Sequence, residues 1–189
     1  MPASRDEGKK AAPGGDRRTE FDPLRTLEVL KGERADCGTL SLSIDRRGNW
    51  YYRDSLIGRP ELAALFARSL YRDERGRHWL ITPFEQGLVE VEDSAFLAVG
   101  LRLGSSTFGM RRFEFQTNMG VWYGLSALHP LTIRRMPKGG DAPYLLTERG
   151  LEARLTQAVY LELAKYAEIE NDVWGIWSDG RFFTLDALG

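Results

Sequence analysis

A polar turn recurs in this sequence, and each time it runs into an aromatic segment suited to a strand. Asp45-Arg46-Arg47-Gly48 precedes Asn49-Trp50-Tyr51-Tyr52, and Asp73-Glu74-Arg75-Gly76 precedes Arg77-His78-Trp79-Leu80. A shorter cousin, Asp179-Gly180, precedes Arg181-Phe182-Phe183. Asp suits the first position of a type I turn and Gly the fourth, while Asp-Gly is a strong two-residue hairpin signal. The recurrence predicts a scaffold of repeated strand units.

The segments between these turns alternate. Leu40, Leu42 and Ile44 keep the period of a half-buried strand, as do Val89 with Val91 and Phe113 with Phe115. Further strands are expected over 96–103, at Val121-Trp122-Tyr123 and over 131–134. Helical spacing predicts three helices. One runs from Asp22-Pro23 to Gly32 with Leu24, Leu27 and Leu30. A second opens at Pro60 with Leu62, Leu65, Phe66 and Leu70. A long third spans Thr147 to Ala167 with Leu151, Leu155, Val159, Leu163 and Tyr166. Strands outnumber helices and most links are too short for parallel crossovers. The expected fold class is therefore α+β: mainly antiparallel sheets, one helix packed in each half, two small domains. Residues 1–20 read as a disordered tail, 21–99 as an α+β domain and 100–189 as a β-rich roll with one long helix, divided near Val99-Gly100.

Composition limits the chemistry. A net charge of −1 gives no global field for nucleic acid or an anionic membrane. Cys37 is the only cysteine, which removes intrachain disulfides and cysteine-rich zinc sites. No apolar run approaches the ~20 residues of a membrane helix. These points, with no signal peptide in view, predict a cytoplasmic protein with no nucleic-acid or membrane partner.

Four groups of residues invite a functional reading. Gly104 to Gly109 has the glycine spacing of a phosphate loop, but Met110 and Arg111 stand where Lys and Ser or Thr belong, so a hairpin loop is expected. His78 and His129 lie in separate segments, and a dyad of either with Cys37 would depend on the tertiary fold. Trp50, Trp79, Trp122 and their aromatic neighbours could stack nucleic-acid bases, yet they serve equally as strand and core residues. Glu85, Glu90, Glu92 and Asp93 form an acidic group. Convergence of their carboxylates would raise a pKa or hold a hard cation, whereas a solvated strand face would do neither.

In chain order, several short segments resemble the bacterial family called domain of unknown function 1285. They are Gly48-Asn49-Trp50-Tyr51-Tyr52, then Arg59 ahead of Leu62 and Leu65-Phe66, then Thr82-Pro83 with Glu85. Val91-Glu92-Asp93 with Phe96, Thr117-Asn118, Pro143-Tyr144 and Gly150-Leu151-Glu152-Ala153 follow, with Tyr160 and Leu163 beyond. The resemblance runs from about Gly38 to Leu185. It implies two small domains of repeated strand motifs, one with a helix on its sheet and one a β-rich roll. It implies no established activity, and by structural likeness alone a place in signal transduction. Ser94-Ala95 departs from the family's Ala-Pro, and Gln157 stands in place of a basic residue, which weakens transfer of an anion site to that helix.

The expected function is a non-enzymatic ligand-sensing or interaction module, with no catalytic residue, metal or cofactor. Its ligand would sit in a partly apolar cleft between the domains, lined by Trp50, Arg59, Thr82, Glu85, Glu92 and Asp93. The partner would be a small molecule or another protein, and the chain a monomer or homodimer. One alternative is a hydrolase or other enzyme built on Glu85, Glu92 and Asp93, with a divalent cation. Another is a structural protein that pairs through exposed strand edges.

Overall fold

The computed structural model describes residues 35–185. The expected tail and the helix from Asp22 to Gly32 lie outside the described residues. The first half is one six-stranded sheet. Strands β1 (Ala35–Ile44), β2 (Trp50–Tyr52) and β3 (Ser55–Leu56) meander to one edge. Helix α1 (Pro60–Arg68) then crosses to the other side, where β4 (Leu70–Arg72), β5 (His78–Ile81) and β6 (Glu85–Val91) meander back to the centre. The strand order is β3-β2-β1-β6-β5-β4, and only the central β1–β6 pair is parallel.

The second half repeats the path. Strands β7 (Phe96–Ser105), β8 (Arg111–Thr117) and β9 (Trp122–Gly124) run outward. Strands β10 (Leu131–Arg135), β11 (Asp141–Leu146) and β12 (Glu152–Leu155) return. The order is β10-β11-β12-β7-β8-β9, with β7 and β12 parallel at the centre. Helix α2 (Gln157–Ala164) follows, and then a three-stranded sheet of β13 (Glu168–Glu170), β14 (Val173–Ser178) and β15 (Arg181–Thr184). The fold is α+β in two domains, with one helix for each half among the described residues.

The recurring turn is commoner than its sequence signature. Five hairpin turns share one backbone pattern, starting at Asp45, Asp73, Ser106, Thr117 and Met136. In each, the first residue's N–H donates to the carbonyl four residues on, and the glycine N–H three residues on donates back to the first carbonyl. That glycine has positive φ in all five, from 75° at Gly109 to 90° at Gly139. This is a type I turn closed by a glycine bulge. Asp179-Gly180 is of another kind, with both residues at positive φ (51° and 71°), a two-residue primed turn. Gly104 to Gly109 is the end of β7 with its hairpin turn, and β8 follows it rather than a helix.

Three expectations are corrected. The domain boundary falls at residues 92–95, between β6 and β7, because β7 runs through Val99-Gly100 without a break. That pair marks a register shift between Ala98 and Gly100, a bulge. The long helix over 147–167 is a 3-10 turn (Glu148–Gly150), then strand β12, then the short α2. Leu151, Leu155, Val159 and Leu163 are all buried as their spacing of four predicts. Leu151, Ala153 and Leu155 also alternate with Glu152 and Arg154, and that period of two prevails once Gly150 takes φ of 71°. In α1 the buried face is Ala63 and Ala67, leaving Leu62 and Leu65 exposed at 39% and 58%. Small residues let the helix approach the sheet closely.

Candidate functional site: a cleft and a charged seam between the domains

The β1–β2 turn of the first domain reaches into the second. On one flank, Asn118 Nδ2 donates to the Gly48 carbonyl at 3.3 Å, and Asn118 Oδ1 accepts from Leu97 N–H at 3.0 Å. On the other, Arg154 Nη2 donates to the Arg46 carbonyl at 2.7 Å. The turn itself is stiff. Asp45 Oδ1 accepts from the N–H groups of Arg47 and Asn49, and Oδ2 from Asn49 Nδ2 and the Tyr51 hydroxyl. Burial opposes ionisation of Asp45, but these donors outweigh it and hold the carboxyl below its usual pKa.

Beside Gly48 opens a cleft of about 510 Å³. Trp50, Leu56, Ile57, Pro60 and Ala64 wall it from the first domain, and Asn118, Met119 and Gly120 of the β8–β9 turn from the second. Asn49 and Glu61 are its other polar side chains. Trp50 is 2% exposed, and its indole Nε1–H is buried with no hydrogen-bond partner among the described residues.

A charged seam crosses the domain junction nearby. Asp93, in the link from β6 to β7, has only 4% of its side chain exposed. Its carboxylate accepts from Arg154 Nε and the Tyr144 hydroxyl, both at 2.6 Å, and faces Arg134 at 3.8 Å. Arg134 lies over the Tyr144 ring at 3.5 Å and donates to Glu152 at 2.9 Å. Burial, and then the hydrogen bond to Asp93, push the Tyr144 phenol well above its ordinary pKa. On β5, burial first and then the Arg72 cation press His78 down to about 4, with a lesser push from Arg134 and an opposing pull from Asp73. His78 is thus neutral at physiological pH.

Of the six residues expected to line a ligand cleft, Trp50 lines this one, and Glu92 and Asp93 line a smaller pocket on the other flank of the β1–β2 turn. Arg59 is the exposed N-cap residue of α1, between the lining residues Gly58 and Pro60. Thr82 is spent on its own turn, donating to the Glu85 carbonyl and accepting from the N–H groups of Phe84 and Glu85. Glu85 starts β6 and Glu92 follows its end, so the two stand roughly 20 Å apart at ~3.3 Å per residue. The Glu85 carboxylate meets Cys37 Sγ at 3.6 Å instead. Local desolvation and that carboxylate raise the thiol pKa, the reverse of what a nucleophile needs. Glu92 accepts from Arg46 N–H at 3.2 Å, and Asp93 is consumed by the seam. The acidic residues therefore do not converge. Among the described residues no group of three His, Cys, Asp or Glu side chains could hold a metal ion. No described helix is long and apolar enough to cross a membrane.

Sequence reasoning missed Asn118 as a bridge, Met119 as a wall, and Arg154, Tyr144 and Arg134 as partners of Asp93. The aromatic strand start was the signal for Trp50. The seam had none, because Asp93 lies 51 residues from Tyr144 and 61 from Arg154.

Comparison with known proteins agrees with the two-domain division. Residues 29–94 match the N-terminal domain of unknown function DUF1285, and residues 95–185 match the C-terminal domain of the DUF1285 proteins of unknown function. No curated protein matches the chain. The crystal structure of a DUF1285 family protein from Silicibacter pomeroyi DSS-3 is similar at 31% identity and a TM-score of 0.74, covering 82% of this chain and 84% of that one. A DUF1285 family protein from Shewanella baltica OS155 is similar at 25% identity and a TM-score of 0.53, covering 67% of this chain and 91% of that one. With both domain models matched in order and a relative this similar over most of both chains, the protein belongs to the DUF1285 family.

Proposed function

We propose that the chain is a non-enzymatic ligand-sensing module of the kind used in signal transduction, and that its ligand occupies the cleft beside Trp50. The observation that carries this reading is that both domains contribute walls to one mostly apolar cleft of about 510 Å³. That volume is in the range of small-molecule sites, which are typically apolar with a few polar groups. The cleft offers Asn49, Glu61 and Asn118 as such groups. The Trp50 indole N–H is buried behind the wall with no partner among the described residues, and because such a donor costs about 1–3 kcal/mol, a ligand acceptor that displaced its covering would be rewarded. Asn118 already bridges the domains through Gly48, so a molecule seated there would change how firmly the domains hold each other. That is a means of signalling without chemistry.

A thermal-shift screen of the full chain against apolar metabolites tests the proposal. A ligand at a thousand times its dissociation constant should add about 4 kcal/mol. Ala64→Phe should fill the cleft and abolish the shift while leaving the unliganded protein folded. The reading fails if no compound binds, or if binders are indifferent to Ala64→Phe.

An interaction role has one observation of its own. The outer face of the third sheet shows Val173 and Trp177, with Phe182 packed edge-on against Trp177 at 5.7 Å. Sedimentation of the full chain with and without Trp177→Ser would reveal self-association through that face.

A further inference from the structure

The β1–β2 turn has a second concave flank, opposite in character to the first. A pocket of about 280 Å³ lies between this turn and the β10–β11 turn of the other domain, lined by Arg46, Lys138 and Arg154 along with Glu92, Asp93 and Met136. Its two carboxylates are already engaged. Asp93 is bound by Arg154 and Tyr144, and Glu92 accepts the Arg46 N–H. Two of its three cations are not. Among the described residues neither the Arg46 guanidinium nor the Lys138 ammonium has a hydrogen-bond or ion-pair partner. Arg154 spends Nε on Asp93 and Nη2 on the Arg46 carbonyl, which leaves Nη1.

The surroundings add to the imbalance. Arg134 and Arg72 both lean on the one carboxylate of Glu152 next to this pocket. The seam and the pocket together thus hold two more cationic side chains than carboxylates. Like charges gathered at a junction oppose folding unless something neutralises them. Arg154 is also fixed in place by a buried partner, so its free N–H is pre-aimed, as oxyanion recognition by a guanidinium favours.

We propose that this pocket is a binding site for a small multivalent oxyanion, a phosphate or polycarboxylate group, held by Arg46 from the first domain and by Lys138 and Arg154 from the second. The anion bridges the two domains on the flank away from Trp50. The site stands whether or not the apolar cleft binds a ligand.

Titration calorimetry on the full chain tests it, with inorganic pyrophosphate and citrate as separate probes at constant ionic strength set with sodium chloride. Saturable one-to-one binding of at least one probe is expected. Lys138→Met and Arg46→Met, both at exposed side chains, should each weaken it about tenfold, as loss of one charge-assisted hydrogen bond implies. Ala64→Phe, in the other cleft, should leave it unchanged. Pyrophosphate binding without citrate binding would assign a phosphate ligand, and the reverse a polycarboxylate. Absence of saturable heat with both probes overturns the proposal. So does binding that survives both Lys138→Met and Arg46→Met.

Discussion

The two six-stranded sheets trace one path, strand for strand, but they are stiffened differently. In the first, both inner turns begin with Asp. Asp73 repeats the wiring of Asp45: Oδ1 accepts from the N–H groups of Arg75 and Arg77, and Oδ2 from Arg77 Nε and the Trp79 indole. In the second sheet the equivalent turns begin with Ser106 and Met136, and Met136 has no side-chain acceptor to offer. The backbone bonds are nonetheless the same. Glycine at positive φ and the backbone therefore make the turn, and the carboxylate is an addition. What it adds is a fixed side chain two residues into the following strand, Tyr51 or Trp79. The halves also differ in how their helices are held. Arg149 of the second domain donates to the carbonyls of Ala67 and Leu70 at the end of α1, so the first domain's helix is capped from outside. The first half has rigid turns and a borrowed cap, and the seam joins it to the second.

Breaking the seam should have the largest effect. Asp93→Ala leaves Arg154 and the Tyr144 hydroxyl facing an empty site in a nearly buried setting. Removing one partner of such a pair costs about 3–5 kcal/mol. Urea denaturation should show the loss. If the seam is what couples the halves, the single transition should also split into two. A loss below about 1 kcal/mol would mean that the repeated units are held together elsewhere.

The two Asp turns allow a finer comparison. Gly48 and Gly76 have nearly equal φ, 77° and 79°, so Ala at either position carries a similar backbone cost of about 1 kcal/mol. Their surroundings differ. A Cβ on Gly48 would lie 2.7 Å from Asn118 Nδ2 and 3.3 Å from Leu97, whereas one on Gly76 meets only the flexible end of Arg72 at 3.4 Å. Gly48→Ala should thus cost at least about 2 kcal/mol and Gly76→Ala about 1. Equal losses by calorimetry would show that the domains do not press on the Gly48 turn.

The sequence was legible where a pattern was local. Period-two alternation located β1, β6 and β8, and Asp-x-x-Gly located two of the five bulged turns. Strands β4 and β13 escaped because three residues hold no period, and Leu70 was absorbed into the helical stripe before it. The stretch from Leu151 to Leu163 misled because a spacing of four suits one helix as well as a strand followed by a helix. The cleft was legible as a kind of place, apolar and between domains, and in Trp50. Its other expected lining residues are scattered over a helix N-cap, a turn, one strand and the link after it, where nearness in sequence does not become nearness in space: β6 alone separates Glu85 from Glu92.

Acid should distinguish the turn carboxylates from the rest of the first sheet. Burial works against ionisation of Asp73, but the Trp79 indole and the Arg77 donors lower its pKa to about 2. A depressed carboxylate contributes stability that is complete above its unfolded value near 4 and is lost as pH falls through 2. Asp73→Asn keeps an oxygen for the two N–H groups but turns an amide N–H₂ toward Arg77 and Trp79. It should destabilise by about 1 kcal/mol at pH 7, and the gap to the wild-type protein should close between pH 4 and 2. A gap that does not change with pH would mean that the charge is irrelevant and only the shape of the turn matters.

The smallest effect comes from moving the device to the other sheet. Met136→Asp places a carboxylate where the N–H groups of Lys138 and Gly140 stand in the relation that Arg47 and Asn49 bear to Asp45. If the first sheet's carboxylates stabilise the turns themselves, the variant should gain about 0.5 kcal/mol by thermal melting. The same substitution puts a negative charge on the wall of the Arg46–Lys138–Arg154 pocket, so pyrophosphate or citrate affinity should fall as stability rises. A variant no more stable than the wild type would change the meaning of Asp45 and Asp73. Their value would then lie wholly in holding Tyr51 and Trp79, and the difference between the sheets would be one of side-chain placement rather than of turn stability.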